Sequence, residues 1–68
     1  MEFKLNAEFI ALDNLLKVLQ LAESGGQAKQ QILEGLVKVN GEVELRIRRK
    51  LRLGDAVEFS GNQINLVA

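Results

Sequence analysis

The stretch LDNLLKVLQLAESGGQAKQQILEGLVKVNGEVE, Leu12 to Glu44, decides the fold, because the hydrophobic period changes twice within it. Leu12, Leu15, Leu16 and Leu19 recur at i, i+3, i+4 and i+7, one apolar stripe on a helix, with Asp13, Asn14, Lys17 and Gln20 outside it. Asp13 suits the positive end of the helix dipole. The stripe predicts a first helix ending near Ala22. Ser24-Gly25-Gly26-Gln27 follows, and Ser with Gln three residues on is the capping-box pattern, in which the two side chains reciprocally satisfy free backbone N–H groups. It predicts a second helix to about Glu34, with Ala28, Ile32 and Leu33 turned inward and Gly35 as the left-handed residue that ends it. Beyond Gly35 the period falls to two. Val37 and Val39 alternate with Lys38, and Asn40-Gly41 accepts positive φ at both positions, as a hairpin turn requires. A strict two-residue turn would set Val43 opposite Lys38, on the other face from Val37 and Val39, so a bulge or a longer loop is expected there.

The flanks read as strands. In EFKLNAEF, Phe3, Leu5 and Ala7 alternate with polar neighbours, the pattern of a half-buried strand. From Leu45 to Leu53 the odd positions Leu45, Ile47, Leu51 and Leu53 are apolar, and on a continuous strand Arg46, Arg48, Lys50 and Arg52 would share a face. Arg49 interrupts the pattern, so a bend is expected near Arg48 to Lys50. Gly54-Asp55 reads as a turn, Val57 and Phe59 as a strand, Gly61-Asn62 as a second tight turn, and Ile64, Leu66 and Val67 as a last strand. The expected fold is α+β: two short helices in a helix-turn-helix-like pair, packed on a small antiparallel sheet with an N-terminal strand, in one domain over residues 1–68.

With 68 residues the chain has a thin core, since a domain of this size buries only about 60% of the surface its unfolded form exposes. It contains no Cys and no His, which excludes disulfides, the usual zinc sites and any Cys or His nucleophile or base. Apolar residues make up 47% and charged residues 26%, ordinary globular usage that argues against disorder. No apolar run approaches the roughly 18 residues of a membrane span, and MEFKLNAEF lacks a signal-peptide pattern, so a cytoplasmic protein without membrane contact is expected. Nine bases balance nine acids, but unevenly. Residues 1–34 hold three bases against five acids, residues 35–52 six against two, and residues 53–68 two acids and no base. The excess positive charge is therefore confined to one short stretch, a local field that the net charge hides.

Catalysis has little to work with. Ser24 and Ser60 are the only hydroxyl side chains, with neither Thr nor Tyr and no His or Cys to activate them. The acids are scattered, without the spacing of a metal site or a general acid–base pair, so no enzyme activity, metal or cofactor is expected. Two features point instead to anion binding. Gly25 and Gly26 leave the first N–H groups of the second helix open to a phosphate, as well as letting two helices cross tightly. The segment ELRIRRKLRLGD gathers Arg46, Arg48, Arg49, Lys50 and Arg52, and arginine favours forked contacts to phosphate. The same charges on a strand could instead solubilise it and protect an edge. The aromatics are Phe3, Phe9 and Phe59, too few and too core-like in phase for a stacking platform.

The ordered set Leu12-Asp13 with Leu15-Leu16, Ser24 with Gln27-Ala28-Lys29 and Ile32, Gly35 with Val37, Val39-Asn40-Gly41 and Leu53-Gly54-Asp55 resembles the S-four RNA-binding domain, with its alpha-L motif. The likeness spans about Leu12 to Phe59, and SGGQAK and the RRK cluster look most like the small stand-alone YbcJ-like members. The resemblance implies two helices on a small sheet, with RNA held between the start of the second helix and the neighbouring hairpin. Carried over by position, it places Ser24, Gly25, Gly26, Gln27, Lys29 and Gln30 on the helix side, and Lys38 and Asn40 on the hairpin side. Arg46, Arg48, Arg49 and Lys50 would complete a basic wall. Gly25 and Ala11 stand where many members have arginine, which removes two phosphate contacts. The expectation is a monomeric, non-catalytic protein that binds structured RNA, such as ribosomal RNA or tRNA, mainly through its backbone, with a possible association with the ribosome. The competing expectation is an adaptor whose basic face docks an acidic protein.

Overall fold

A computed structural model describes residues 1–68. The elements run β1 (Glu2–Lys4), β2 (Ile10–Ala11), α1 (Leu12–Val18), α2 (Gly25–Leu33), β3 (Val37–Val39), β4 (Glu42–Val43), β5 (Lys50–Leu51), β6 (Ala56–Phe59) and β7 (Asn62–Val67). Five strands form one sheet in the order β1-β7-β6-β3-β4, and β2 pairs with β5 in a separate two-stranded ladder. The α+β architecture is the expected one. The pairs β3–β4, β3–β6 and β6–β7 are antiparallel, whereas the N-terminal strand joins β7 parallel, which makes the sheet mixed. Leu12, Leu15 and Leu16 of α1, Ala28 and Ile32 of α2, and Val37, Val39, Val57, Ile64 and Leu66 of the sheet are buried together in one core.

The helix ends follow cap chemistry. Ser24 is the N-cap of α2, and its Oγ accepts the Gln27 N–H at 3.1 Å. The Gln27 side chain reaches back to accept the N–H of Glu23, one residue before the cap, so the reciprocal pair forms with a one-residue offset. Gly35, at φ 78°, closes α2: its N–H donates to the Ile32 carbonyl and that of Leu36 to Gln31, the paired bonds of a Schellman motif. The same motif ends α1 earlier than the apolar stripe suggests. Gln20 takes φ 60°, with its N–H on the Lys17 carbonyl and that of Leu21 on Leu16, so the helix stops at Val18 rather than near Ala22. Leu33, expected inside, lies at the last position of α2 and is exposed.

Several strand expectations are adjusted. The Asn40-Gly41 turn is a strict two-residue turn, φ 52° and 86°, with Val39 opposite Glu42 and Lys38 opposite Val43. No bulge forms; the register conflict is resolved by leaving Val43 exposed. The bend expected within residues 45–53 is present, one residue earlier than Arg48 to Lys50. A turn at Ile47 and Arg48, closed by the Arg49 N–H on the Arg46 carbonyl, breaks the run, so Leu51 is buried while Leu45 and Leu53 are exposed. The last hairpin turns at Ser60-Gly61 rather than Gly61-Asn62, since Phe59 pairs with Asn62. The first strand stops at Lys4, with Leu5 buried and Ala7 exposed.

Because Ser24 supplies the side-chain acceptor at the start of α2, Ser24→Ala is expected to cost about 1 kcal/mol, read as a lower urea midpoint with an unchanged slope. An unmoved midpoint would mean that the cap contributes nothing.

Candidate nucleic-acid interface

The loop between β4 and β5 is held against the start of α1. A helix begins with N–H groups that lack partners, and here the Leu12 N–H donates to the Arg49 carbonyl at 2.9 Å and the Asp13 N–H to the Ile47 carbonyl at 3.1 Å. The N-cap residue Ala11 has no side chain to do this. Pairing of Ile10 with Leu51 and of Ala11 with Lys50 fixes the far end of the loop. The backbone is thus pinned on both sides of Arg48, and the side chains of Arg46, Arg48, Arg49 and Lys50 line one open depression of about 420 Å³ with no hydrophobic residue in its wall.

Beneath these cations lies Glu44, the one charged residue in the buried set. Its carboxylate accepts from Arg46 Nε and Nη2, each at 3.1 Å, from the Arg46 backbone N–H at 3.0 Å, and from Arg49 Nη1 at 2.6 Å. The fork onto Arg46 is bidentate, the geometry that gives arginine–carboxylate pairs their directionality. The Arg46 side-chain bonds draw the Glu44 carboxyl down from the ordinary 4.5 to about 2, against the opposing effect of burial, with Arg49 and the Arg46 N–H adding to the pull. Arg46 is correspondingly raised by its bonds to Glu44. The cluster is therefore not the set of unpaired cations that the sequence suggests. Arg48 and Lys50 have no acidic partner, Arg46 and Arg49 share one, and Arg52 meets the exposed Glu8 at 3.5 Å.

The helix-side residues form a second feature. The N–H groups of Gly25 and Gly26 donate to no protein acceptor, and only distant atoms border a side chain there, Lys17 Cδ at 3.9 Å from a Cβ on Gly25 and Ser24 Oγ at 3.9 Å from one on Gly26. Lys29 and Gln30 are exposed on the same helix. The contact of Gly25 with Lys17, in the last turn of α1, sets this feature at the opposite end of α1 from the basic depression. Leu12 and Lys17, to which the two features are tied, are five residues apart, about 7.5 Å along the helix axis.

The hairpin residues fare differently. Lys38 points from the outer face of the sheet, between Val43 and Glu58. Asn40 is occupied by the fold: its Nδ2 donates to Asp55 Oδ1 at 3.1 Å and its Oδ1 accepts the Ala56 N–H at 2.9 Å. Asp55 is buried enough to favour its neutral form, yet the Arg52 N–H and Asn40 amide, with the charges of Arg49 and Arg52, hold it below the usual carboxylate range. Glu44 is the participant that sequence reading missed. Its signal was the lone acid two residues before Arg46 and five before Arg49. No helix is long and apolar enough to cross a membrane.

A basic depression and two free N–H groups beside the Ser24 cap lie on a frame of two helices and a small sheet, and comparison with known proteins gives the family. The S4 domain model matches residues 3–67, and the chain belongs to that family. It is 48% identical over 59 residues to YbcJ of Escherichia coli (strain K12), covering 87% of this chain and 84% of that one. It is 42% identical over 57 residues to the "Probable ribosome maturation protein RlbA" of Bacillus subtilis (strain 168), covering 84% and 80%. The solution structure of E. coli YbcJ, described as revealing an alfaL motif involved in RNA-binding, superposes with a TM-score of 0.73 at 44% identity over 98% of this chain and 86% of that one.

The lowered pKa of Glu44 carries a prediction with a definite sign. A carboxylate held down in the folded state stabilises it above the unfolded pKa, and that stability is lost as pH falls through the folded value. Stability should therefore decline from about pH 4.5 towards about pH 2. In Glu44→Gln the decline should be shallower, with Asp55 still contributing. Urea midpoints measured across this range check it, and identical profiles for the two proteins would remove Glu44 from the account.

Proposed function

We propose that this chain is a non-catalytic, monomeric RNA-binding protein of the cytoplasm that holds structured RNA by its phosphate backbone, between the start of α2 and the β4–β5 loop. The observation that carries this reading is the depression lined by Arg46, Arg48, Arg49 and Lys50 alone, with a single carboxylate at its base. Four cations over one anion leave a strong local excess of positive charge in a chain whose net charge is zero. Arginine suits phosphate oxygens, and the N–H groups that Arg46 and Arg49 do not spend on Glu44 are held in place by it, which lowers the reorganisation needed on binding. The free N–H groups of Gly25 and Gly26, at the positive end of a nine-residue helix, offer a second phosphate position. Gln27, Lys29 and Gln30 would border it, with Ser24 shaping it through the cap. Lys38 would add a peripheral charge, whereas Asn40 acts through the turn that it braces. Ser24 Oγ is used as a cap acceptor, which fits a binding role rather than a nucleophilic one. Family membership, the RNA-binding motif described for YbcJ and the name of RlbA favour RNA as the partner and make ribosomal RNA the first target to test.

Arg48 and Lys50 make no ion pair, so they can be neutralised without exposing Glu44. Arg48→Gln with Lys50→Gln should flatten the slope of log affinity against log salt by about 1.5, at roughly 0.7 to 0.9 per phosphate contact. All RNA sequences should weaken alike, because phosphate contacts position rather than specify. A folded double variant with the wild-type salt slope in filter binding would remove the loop from the interface.

Gly25→Asp tests the other end of α1. The new carboxylate would sit by the helix dipole and within reach of Lys17, so the urea midpoint should hold or rise. RNA affinity should fall, since a negative charge then occupies the phosphate position. Unchanged affinity would leave the loop as the sole anchor.

A further inference from the structure

We propose that Phe9 and the groove beside it form a stacking site for one unpaired nucleobase, joined to the basic depression through Lys50; the inference rests on the RNA-binding reading above. Phe3 and Phe59 pack against the core, whereas Phe9 stands outside it and is 40% exposed. Two cations lie over its ring: Lys50 Nζ is 4.9 Å from the centroid and Arg52 Cζ 5.9 Å. Both are within the roughly 6 Å at which a ring face attracts a cation. Lys50 is also a wall of the basic depression, so the ring and the proposed anion site share one side chain.

On the segment leading into β2, Phe9 borders an open groove of about 310 Å³ that runs along residues 3–10 and is mostly apolar, with Leu5 and Ala7 in its wall. Asn6 also lines this groove, and its amide, which makes no hydrogen bond within the protein, offers both a donor and an acceptor to a base edge. About 300 Å³ is the lower end of small-molecule sites, a size for one planar group. Charge decides which planar group. The occupant must place a π face on Phe9 and an anion on Lys50 in the same stroke, which a nucleotide does with its base and phosphate. An acidic peptide without an aromatic side chain would satisfy Lys50 but bring no π face to the ring. Glu8, the partner of Arg52, is exposed and held at 3.5 Å, a surface pair that an incoming phosphate can displace. The RNA recognised would then be a structured one that presents a bulged or looped-out base beside its helix.

The test compares a hairpin RNA carrying one unpaired adenosine in its stem with the same hairpin fully paired. Wild-type protein should prefer the bulged hairpin by about fivefold to a hundredfold, the range of base–aromatic stacking by alanine substitution. Phe9→Ala and Phe9→Leu should each bring the two affinities together, and the Phe9 ring protons should shift upfield by NMR when the bulged hairpin is added to wild type. Leucine keeps apolar bulk without a π face, so that variant decides the matter even if the alanine variant unfolds. Equal wild-type affinity for the two hairpins, or a preference retained in Phe9→Leu, overturns the stacking site while leaving RNA binding intact. Wild-type binding to both hairpins no tighter than to heparin would instead overturn the RNA-binding reading and the stacking site with it.

Discussion

Glu44 is the constraint on which the basic surface depends. Five cations within residues 46–52 repel one another, and a loop carrying them would be expected to splay into solvent. A nearly buried carboxylate reverses that tendency by binding Arg46 in a fork and sharing its Oε1 with Arg49. An ion pair this shielded is not by itself strong evidence of stability, because desolvation opposes the Coulomb gain. Its effect is on conformation. With both guanidinia tied to one point, the intervening Ile47-Arg48 turn is shaped from the inside, and Arg48 is left projecting without a partner.

The same loop completes α1. Leu12 and Asp13 need acceptors for their N–H groups, Ala11 supplies none, and the carbonyls of Arg49 and Ile47 do. A seven-residue helix is far below the length at which isolated helices persist in water. Its stability therefore comes from the buried faces of Leu12, Leu15 and Leu16 and from the loop at its head. Folding of the core and assembly of the charged surface are one event here, since the backbone groups that hold the loop are those that start the helix.

Local rules made much of this legible in the sequence. The i, i+3, i+4 leucines, the Ser24–Gln27 cap, the left-handed Gly35 and the Asn40-Gly41 turn are short-range chemistry, and each stands where its spacing requires. The misreadings arose where distant residues intervene. The bend within Leu45 to Leu53 is legible from Arg49, but its place at Ile47-Arg48 is set by the pairing of Lys50 and Leu51 with β2 and by the pull of Glu44. The bracing role of Asn40 is likewise not local, because Asp55 and Ala56, 15 and 16 residues on, take both ends of its amide. The exposure of Phe9 and the two cations over its ring are properties of packing that the phase of the aromatics does not reveal, since Lys50 and Arg52 are distant in sequence.

A chain of zero net charge has no long-range field with which to gather a polyanion. At physiological salt its local field reaches only about 8 Å, so electrostatics act once surfaces are already close. That shifts discrimination from attraction at a distance to fit on contact. The two features proposed to accept phosphate, placed towards opposite ends of α1, would be engaged together only by phosphates presented at a matching spacing. A flexible single strand would lose conformational entropy to hold that spacing, whereas a folded RNA has met that cost in forming its own structure. The short, neutral architecture thus favours a shape-reading protein, in which rigidity on both sides of the interface substitutes for the large positive charge that many RNA-binding domains carry.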